Sequence, residues 1–384
     1  MIFLDVVRVA VIVMVIVHHA AQAYGPTGGT WPISDPAQSE WFRPFYSVNA
    51  AVGLGLLFLL AGYFVPRSYD RKGSGRFLKE RWARIGWPLI FFALLVHVPL
   101  VYLYQGRPPL TEFLRSSYAD GWQTVYLHLW FLGHLLVYSA IYVGWRRLTD
   151  RPGRRPRMYA PPGHSAILGF VVALALVSWL VREWYPIDEW VPLFYVLAAE
   201  PAHLPQYASL FVLGAMAYRG DWFRKLPTRL GMIWLGIGLA AAAAVYGAEA
   251  VGLWGNVVEE LPRYLWPLGA TLEALICVGL SIGLIVAARE LFHQPRRLIT
   301  AMSSASYAAY ILHIFVVVGL QAAILGLDLP AFAKFGLAAL AGVVLSFGVG
   351  YLSSKTPGLR VVLGTAPSRR EKNPQSQLRV PADF

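Results

Sequence analysis

This chain of 384 residues has few charges and almost no cysteine. Only 14% of its residues are charged and 57% are hydrophobic, which is more apolar surface than a soluble core could bury. Its one cysteine, Cys277, cannot form an intrachain disulfide, so cysteine usage does not indicate a redox compartment. The composition excludes a soluble globular protein and predicts an integral membrane protein.

The sequence also has none of the common motifs for metal or nucleotide chemistry. It contains no zinc-ligand spacing, phosphate-binding loop, nucleophile elbow or dinucleotide fingerprint. We therefore predict no metal site and no permanently bound cofactor. No internal repeat is visible either, which disfavours the two-fold architecture common in secondary transporters.

Long apolar windows follow one another along most of the chain. They are long enough to cross a bilayer as helices, and too long and insufficiently alternating for barrel strands. The sequence therefore predicts an all-α polytopic bundle of about ten transmembrane helices. The predicted spans are residues 2–23, 46–66, 86–104, 127–146, 165–182, 203–219, 230–249, 266–288, 304–326 and 331–353.

The net charge of +12 is distributed in a way that indicates membrane topology. Of the 33 Lys and Arg residues, 26 fall in five alternate segments: 67–84, 146–157, 219–229, 289–297 and the tail from 355. By the positive-inside rule these segments are cytoplasmic, which places both termini inside. The basic excess therefore reflects topology, and we predict no nucleic-acid partner.

The predicted domain organisation is one transmembrane domain and a tail. Residues 1–355 form the domain, and 356–384 form a cytoplasmic tail that we expect to be disordered beyond about residue 365. The first apolar segment has a competing interpretation as a signal peptide, since Ala21-Gln22-Ala23 resembles a cleavage site. Asp5 offsets the charge of Arg8 there, so the net positive flank of a signal peptide is missing.

Arg8 and His19 are the most unusual polar residues of the first span. Eleven residues separate them, so on a helix they share one face about 16 Å apart along the axis, while His18 points roughly 80° away. Ionisable groups within a membrane span usually face a bundle interior or a wet cavity. The pattern therefore indicates a functional site, although a packing histidine is the alternative.

Each of these groups has a chemical use. An imidazole at position 19 can act as a general base on a hydroxyl, and a guanidinium at position 8 can hold an anionic or carbonyl-bearing donor. Asp5 lies one helical turn from Arg8, where the two can form an ion pair. That pair could equally be a structural contact near the headgroups.

The first basic segment contains Arg81 and Arg84, clustered guanidiniums that suit a phosphate-rich donor such as coenzyme A and also serve as topology signal. The stretch from Phe77 to Ile85 has amphipathic spacing and predicts a short interfacial helix leading into Pro88.

Four further residues are candidate supporting groups, with packing or the aromatic belt as the alternative: Tyr310, His313, His128 and Trp130.

Read together, these stretches resemble the acyltransferase 3 family of polytopic membrane proteins. The matching stretches, in chain order, are Leu4-Asp5 with Arg8 and His19, Phe58 to Phe64, Phe77-Leu78, Arg81 to Pro88, His128 to Leu132 and Ser306 to His313. The His128 stretch is most similar to the branch that modifies periplasmic glucans. Ala61 stands where the family usually has serine, so a hydroxyl role there is missing.

The resemblance implies a multi-pass inner-membrane O-acyltransferase. It implies His19 as the catalytic base, Arg8 as its partner at the donor site, and Arg81 and Arg84 as contacts to cytoplasmic acyl-CoA. The acyl group is expected to be acetyl, with succinyl as the alternative, and the acceptor a hydroxyl of an extracytoplasmic glycan or glycolipid. The competing prediction is a glycan or lipid transporter that uses the same polar residues for binding or proton relay.

Overall fold

The computed structural model describes residues 1–26, 31–104, 106–119, 126–150, 158–193, 197–252 and 265–363. These residues form a bundle of helices with one small antiparallel ribbon, in which β1 (Val191–Leu193) pairs with β2 (Leu197–Ala199). The predicted all-α membrane bundle is confirmed. The predicted disordered tail beyond residue 365 lies outside the described residues.

The helices are numbered here in chain order. They are α1 (Ile2–Ala21), α2 (Phe42–Lys72), α3 (the uninterrupted run Ser74–Arg81, Trp82–Gly86, Trp87–Ile90, Phe91–His97 and Val98–Tyr104), α4 (Leu110–Ala119), α5 (Trp130–Thr149), α6 (His164–Arg182), α7 (Leu204–Gly220), α8 (Trp222–Lys225), α9 (Thr228–Ala250), α10 (Trp266–Leu291), α11 (Arg297–Ile324), α12 (Ala331–Lys355) and α13 (Pro357–Val362). Single 3₁₀ turns, Leu127–Leu129 and Pro201–His203, precede α5 and α7.

Nine of the described helices are long and apolar enough to cross a membrane. They correspond to nine of the ten predicted spans. The remaining predicted span, 203–219, is helix α7, which has 17 residues. A helix of that length extends about 26 Å, at the lower end of what a bilayer core requires.

The stretch predicted as a short interfacial helix leading into Pro88, Phe77 to Ile85, is helical and continues without a break through the proline. Helix α3 has wider π-type turns at Trp82–Gly86 and Phe91–His97 on either side of Pro88. Proline removes one helical hydrogen bond and crowds the preceding turn, and the wider turns accommodate it without ending the helix. Among the apolar residues of this amphipathic stretch, Phe77 and Ile85 are buried and Trp82 is exposed.

Helix α1 lies in the interior of the bundle, where it packs against α2, α10, α11 and α12. The contact between α2 and α7 is close because two glycines remove the side chains that would separate them. A Cβ at Gly62 would lie 2.0 Å from the Phe211 carbonyl oxygen, and one at Gly214 would lie 2.1 Å from that of Leu59. Small residues permit this backbone approach in membrane helices. Gly62 belongs to the Phe58–Phe64 stretch, so part of that pattern serves packing.

A buried ionic network joins three helices at the end of the bundle where α6 ends and α7 begins. Arg182 Nη2 lies 2.6 Å from Glu273 Oε2, and His203 bridges Glu273 Oε1 at 3.3 Å and Glu200 Oε2 at 2.8 Å. His203 thus connects Glu200, in the segment before α7, with Glu273 on α10.

Candidate active site

Arg8 and His19 both face α11, as the helical spacing predicts. Helices α1 and α11 run parallel: the Arg8 guanidinium contacts Ser303 at one end, and the His19 ring lies 5.1 Å from the His313 ring at the other. The rise of an α-helix separates the two positions by about 16 Å along the axis. His18 turns towards α2 instead, where its ring packs against Phe45 and Tyr46.

At the Arg8 end, the side chains of two helices form a small polar cluster. Arg8 Nη1 donates to Asp5 Oδ1 at 3.1 Å and to Ser303 Oγ at 3.3 Å, and Ser303 Oγ donates to Asp5 Oδ1 at 3.0 Å. The guanidinium also lies 5.3 Å from the centre of the Phe64 ring. The predicted pair of Asp5 and Arg8 is confirmed. The Arg8 side chain remains one-third exposed, which leaves donor atoms available to a ligand.

Arg81 and Arg84 approach the same end of α11. One turn beyond Ser303, the Tyr307 hydroxyl donates to the Arg84 main-chain carbonyl oxygen at 2.6 Å, and both guanidiniums lie within electrostatic range of that hydroxyl. The Arg81 side chain lies over the Phe77 ring, while Arg84 is exposed. Three arginines from two helices therefore lie near α11 at one end of the bundle: Arg8 from α1, and Arg81 and Arg84 from α3.

At the opposite end, the His19 ring is held on several sides by protein. Its Nδ1 lies 2.6 Å from Gln22 Oε1, and its face stacks on the Trp31 indole at a ring separation of 5.2 Å. Because an amide oxygen can only accept, Nδ1 carries the proton and Nε2 carries the lone pair of a base. The imidazole therefore faces the protein interior in the tautomer that general-base chemistry at Nε2 requires.

Gln321 fixes this arrangement from α11. Its Oε1 accepts a hydrogen bond from Trp31 Nε1 at 2.8 Å, and its Nε2 donates to the carbonyl oxygens of His19 and Ala20, each at 3.1 Å. The segment between α1 and α2 that carries Trp31 is anchored separately, through an ion pair between buried Asp35 and Lys334 on α12. Trp31 thus covers His19 as a fixed part of the fold.

Three buried histidines continue the row that begins at His19. The ring of His313 lies 4.8 Å from that of His128, which lies 5.6 Å from that of His97. The Tyr310 hydroxyl donates to the His128 carbonyl oxygen and so ties α11 to the turn before α5. The four imidazole rings therefore lie in a row, in the order His19, His313, His128 and His97. In the described part of the chain, no three His, Cys, Asp or Glu residues are placed to hold a metal ion.

The structure therefore brings most of the predicted site residues together around α11, and leaves two apart. His18 packs against α2, and Trp130 lies in an aromatic cluster with His134, Trp190 and Tyr207. Sequence reasoning missed Gln22, Trp31, His97, Ser303 and Gln321 as neighbours of the site. Only Gln22 had a local signal, because it follows His19 by one helical turn.

The fold and the site define a polytopic α-helical membrane protein in which most of the predicted site residues lie around one helix, α11. A family model described as an acyltransferase domain, that of acyltransferase 3, matches residues 1–354. The chain belongs to this family and is a membrane acyltransferase. Comparison with curated proteins gives no match, and comparison with solved structures gives none either.

Proposed function

We propose that the protein transfers an acyl group, acetyl or alternatively succinyl, from cytoplasmic acyl-CoA to a hydroxyl of an extracytoplasmic saccharide. His19 acts as the general base, and the cell inner membrane is the location. The observation that carries the proposal is the placement of Arg8 and His19 against the same helix, α11, at the two ends of one interior face. A donor site and a base on opposite sides of a bilayer require such a face.

The chemistry follows from the atoms at each end. His19 Nε2 takes the proton of the acceptor hydroxyl as its oxygen attacks the thioester carbonyl carbon, and the carbon–oxygen bond forms. The tetrahedral intermediate then expels the thiolate, the carbon–sulfur bond breaks, and the proton passes to sulfur. The product is an ester, coenzyme A leaves as the thiol, and His19 is neutral again.

The three arginines at the other end suit the donor. Coenzyme A is rich in phosphate, and guanidiniums bind phosphate oxygens through charge-assisted hydrogen bonds. Arg81 and Arg84 would hold these phosphates, while Arg8 would position the thioester arm. Between Arg8 and His19, α1 presents the apolar run Val9 to Val17. Apolar walls would keep bulk water away from the thioester and suppress its hydrolysis.

The test of the donor uses sealed inside-out membrane vesicles supplied with acetyl-CoA labelled in the acetyl group. Label should enter the glycan fraction of these vesicles, and right-side-out vesicles should incorporate none. In the Arg81→Gln/Arg84→Gln variant, the half-saturating concentration of acetyl-CoA should rise at least about tenfold, since two charge-assisted contacts are removed.

The matched control is Arg71→Gln, which removes an exposed cation from the end of α2, in the same basic segment. It should leave the half-saturating concentration unchanged. Equal use of labelled free acetate, or equal incorporation by both vesicle orientations, would refute a cytoplasmic acyl-CoA donor. Succinyl-CoA in place of acetyl-CoA identifies the acyl group.

A further inference from the structure

The tautomers of two buried histidines beside His19 are fixed by main-chain oxygens. His313 Nδ1 lies 2.6 Å from the Tyr310 carbonyl oxygen, and His128 Nε2 lies 3.1 Å from that of Ile311. A carbonyl oxygen only accepts, so both of these ring nitrogens carry hydrogen and donate. In the neutral rings the opposite nitrogens, His313 Nε2 and His128 Nδ1, are therefore lone-pair acceptors.

Neither acceptor has a hydrogen-bond donor among the described residues. Both side chains are more than nine-tenths buried, with 0% of His313 and 6% of His128 exposed. Buried hydrogen-bond acceptors are almost always paired, because burying one without a donor costs the full free energy of removing it from water. The two rings lie 4.8 Å apart, and His313 lies 5.1 Å from His19. Two nitrogens that can accept hydrogen bonds thus lie next to His19, the proposed general base.

His134, on α5, is a buried histidine for comparison. Both of its nitrogens are occupied, by the Ala198 carbonyl oxygen at 3.1 Å and the Tyr138 hydroxyl at 3.5 Å. A buried histidine in this bundle can therefore have both nitrogens paired within the protein, whereas His313 and His128 each have one nitrogen left for an incoming donor.

We infer that His313 Nε2 and His128 Nδ1 form a subsite for the molecule that receives the acyl group, and bind hydroxyl groups flanking the one that His19 deprotonates. This inference rests on the proposed function. It specifies that the receiving molecule is polyhydroxylated, such as a saccharide, and that its neighbouring hydroxyls donate to these two nitrogens. The two imidazoles hold the acceptor and take no part in bond making. A simple alcohol would leave both nitrogens unpaired and would be a poor substrate for acyl transfer.

The direct test observes the two nitrogens in the full-length protein. Histidine labelled with ¹⁵N in the ring gives separate solid-state NMR signals for donor and acceptor nitrogens, and the variants His313→Phe, His128→Phe and His134→Gln assign them. Methyl β-D-glucopyranoside serves as the probe. We expect the signals of His313 Nε2 and His128 Nδ1 to shift on its addition and those of His134, the matched control, to stay fixed.

The second measurement separates binding from chemistry. His313→Phe should raise the half-saturating concentration of the glycan acceptor about tenfold, the effect of one lost hydrogen bond, with kcat little changed. His313→Gln, which keeps an acceptor oxygen, should recover most of that loss. A purely structural role for His313 would instead lower kcat and protein level together in both variants.

The outcomes distinguish this inference from the proposed function. If the glucoside shifts neither signal, or if both nitrogens are hydrogen-bonded to water that the glucoside does not displace, the subsite is overturned even when His19→Ala abolishes transfer. If both signals shift while His19→Ala retains transfer, the proposed base is wrong and the hydroxyl subsite stands.

Discussion

Cells that express His19→Ala should lose the acyl group from their extracellular glycan while the amount of protein in the membrane stays normal. A general base contributes about 10² to 10⁴ to the rate, so residual transfer should be at most about one per cent of wild type. Mass spectrometry of the glycan measures the loss as one acyl mass per modified residue, and immunoblotting of membranes measures the protein.

His18→Ala is the matched control for this experiment. It removes the same side chain one position away, where the ring packs against Phe45 and Tyr46 on α2. This variant should retain most of the acyl transfer. Equal losses in the two variants would show that the helix end matters and the His19 imidazole does not. Accumulation of unmodified glycan on the inner side in His19→Ala cells would favour a transporter.

Lys334→Met should destabilise the fold strongly. The Lys334 ammonium donates to both oxygens of Asp35 at 3.0 and 2.8 Å and to the Leu325 carbonyl oxygen at 3.0 Å, and the two charged side chains are 3% and 1% exposed. Removing one partner of a buried ion pair leaves an uncompensated charge and costs about 3 to 5 kcal/mol. A large fall in the midpoint of thermal or denaturant unfolding is the expected result.

The double variant Asp35→Asn/Lys334→Met tests the reason for that loss. If an unpaired carboxylate causes it, removing the second charge should recover most of the stability. Lys355→Met changes an exposed lysine at the other end of the same helix and should alter stability by no more than about 0.5 kcal/mol. A double variant as unstable as Lys334→Met alone would show that lost packing, and not charge, is responsible.

Periodicity explains why much of the fold and one side of the site could be predicted. Helix α1 extends over Ile2–Ala21 without a break, so the eleven-residue spacing of Arg8 and His19 fixes their common face, and the structure shows both facing α11. The same periodicity placed Asp5 beside Arg8 and turned His18 away. These are local relations within one helix, which sequence spacing determines.

The contacts that complete the site could not be predicted, because they join distant segments. Trp31 and Gln321 are 290 residues apart, and Asp35 and Lys334 are 299 apart. No local pattern marks either pair. His313 and His128 could be selected as buried imidazoles, but their position in one row with His19 depends on how α11 packs against α1 and the turn before α5.

The continuation of helix α3 through Pro88 could not be predicted, for a physical reason of a different kind. On sequence alone, the amphipathic stretch Phe77 to Ile85 predicts a short interfacial helix that leads into the proline. The structure instead absorbs the proline between two π-type segments. The energy that decides between a break and a wider turn comes from the surrounding packing, which a single segment does not encode.

The glycine contact between α2 and α7 restricts how this protein can move during a reaction. With the backbone at Gly62 and Gly214 against carbonyl oxygens of the facing helix, a slide of one residue along the axis would drive a neighbouring side chain into that backbone. We therefore expect these two helices to move together during a reaction. An opening that admits or releases a substrate is expected to involve the other helices, which would tilt relative to this pair.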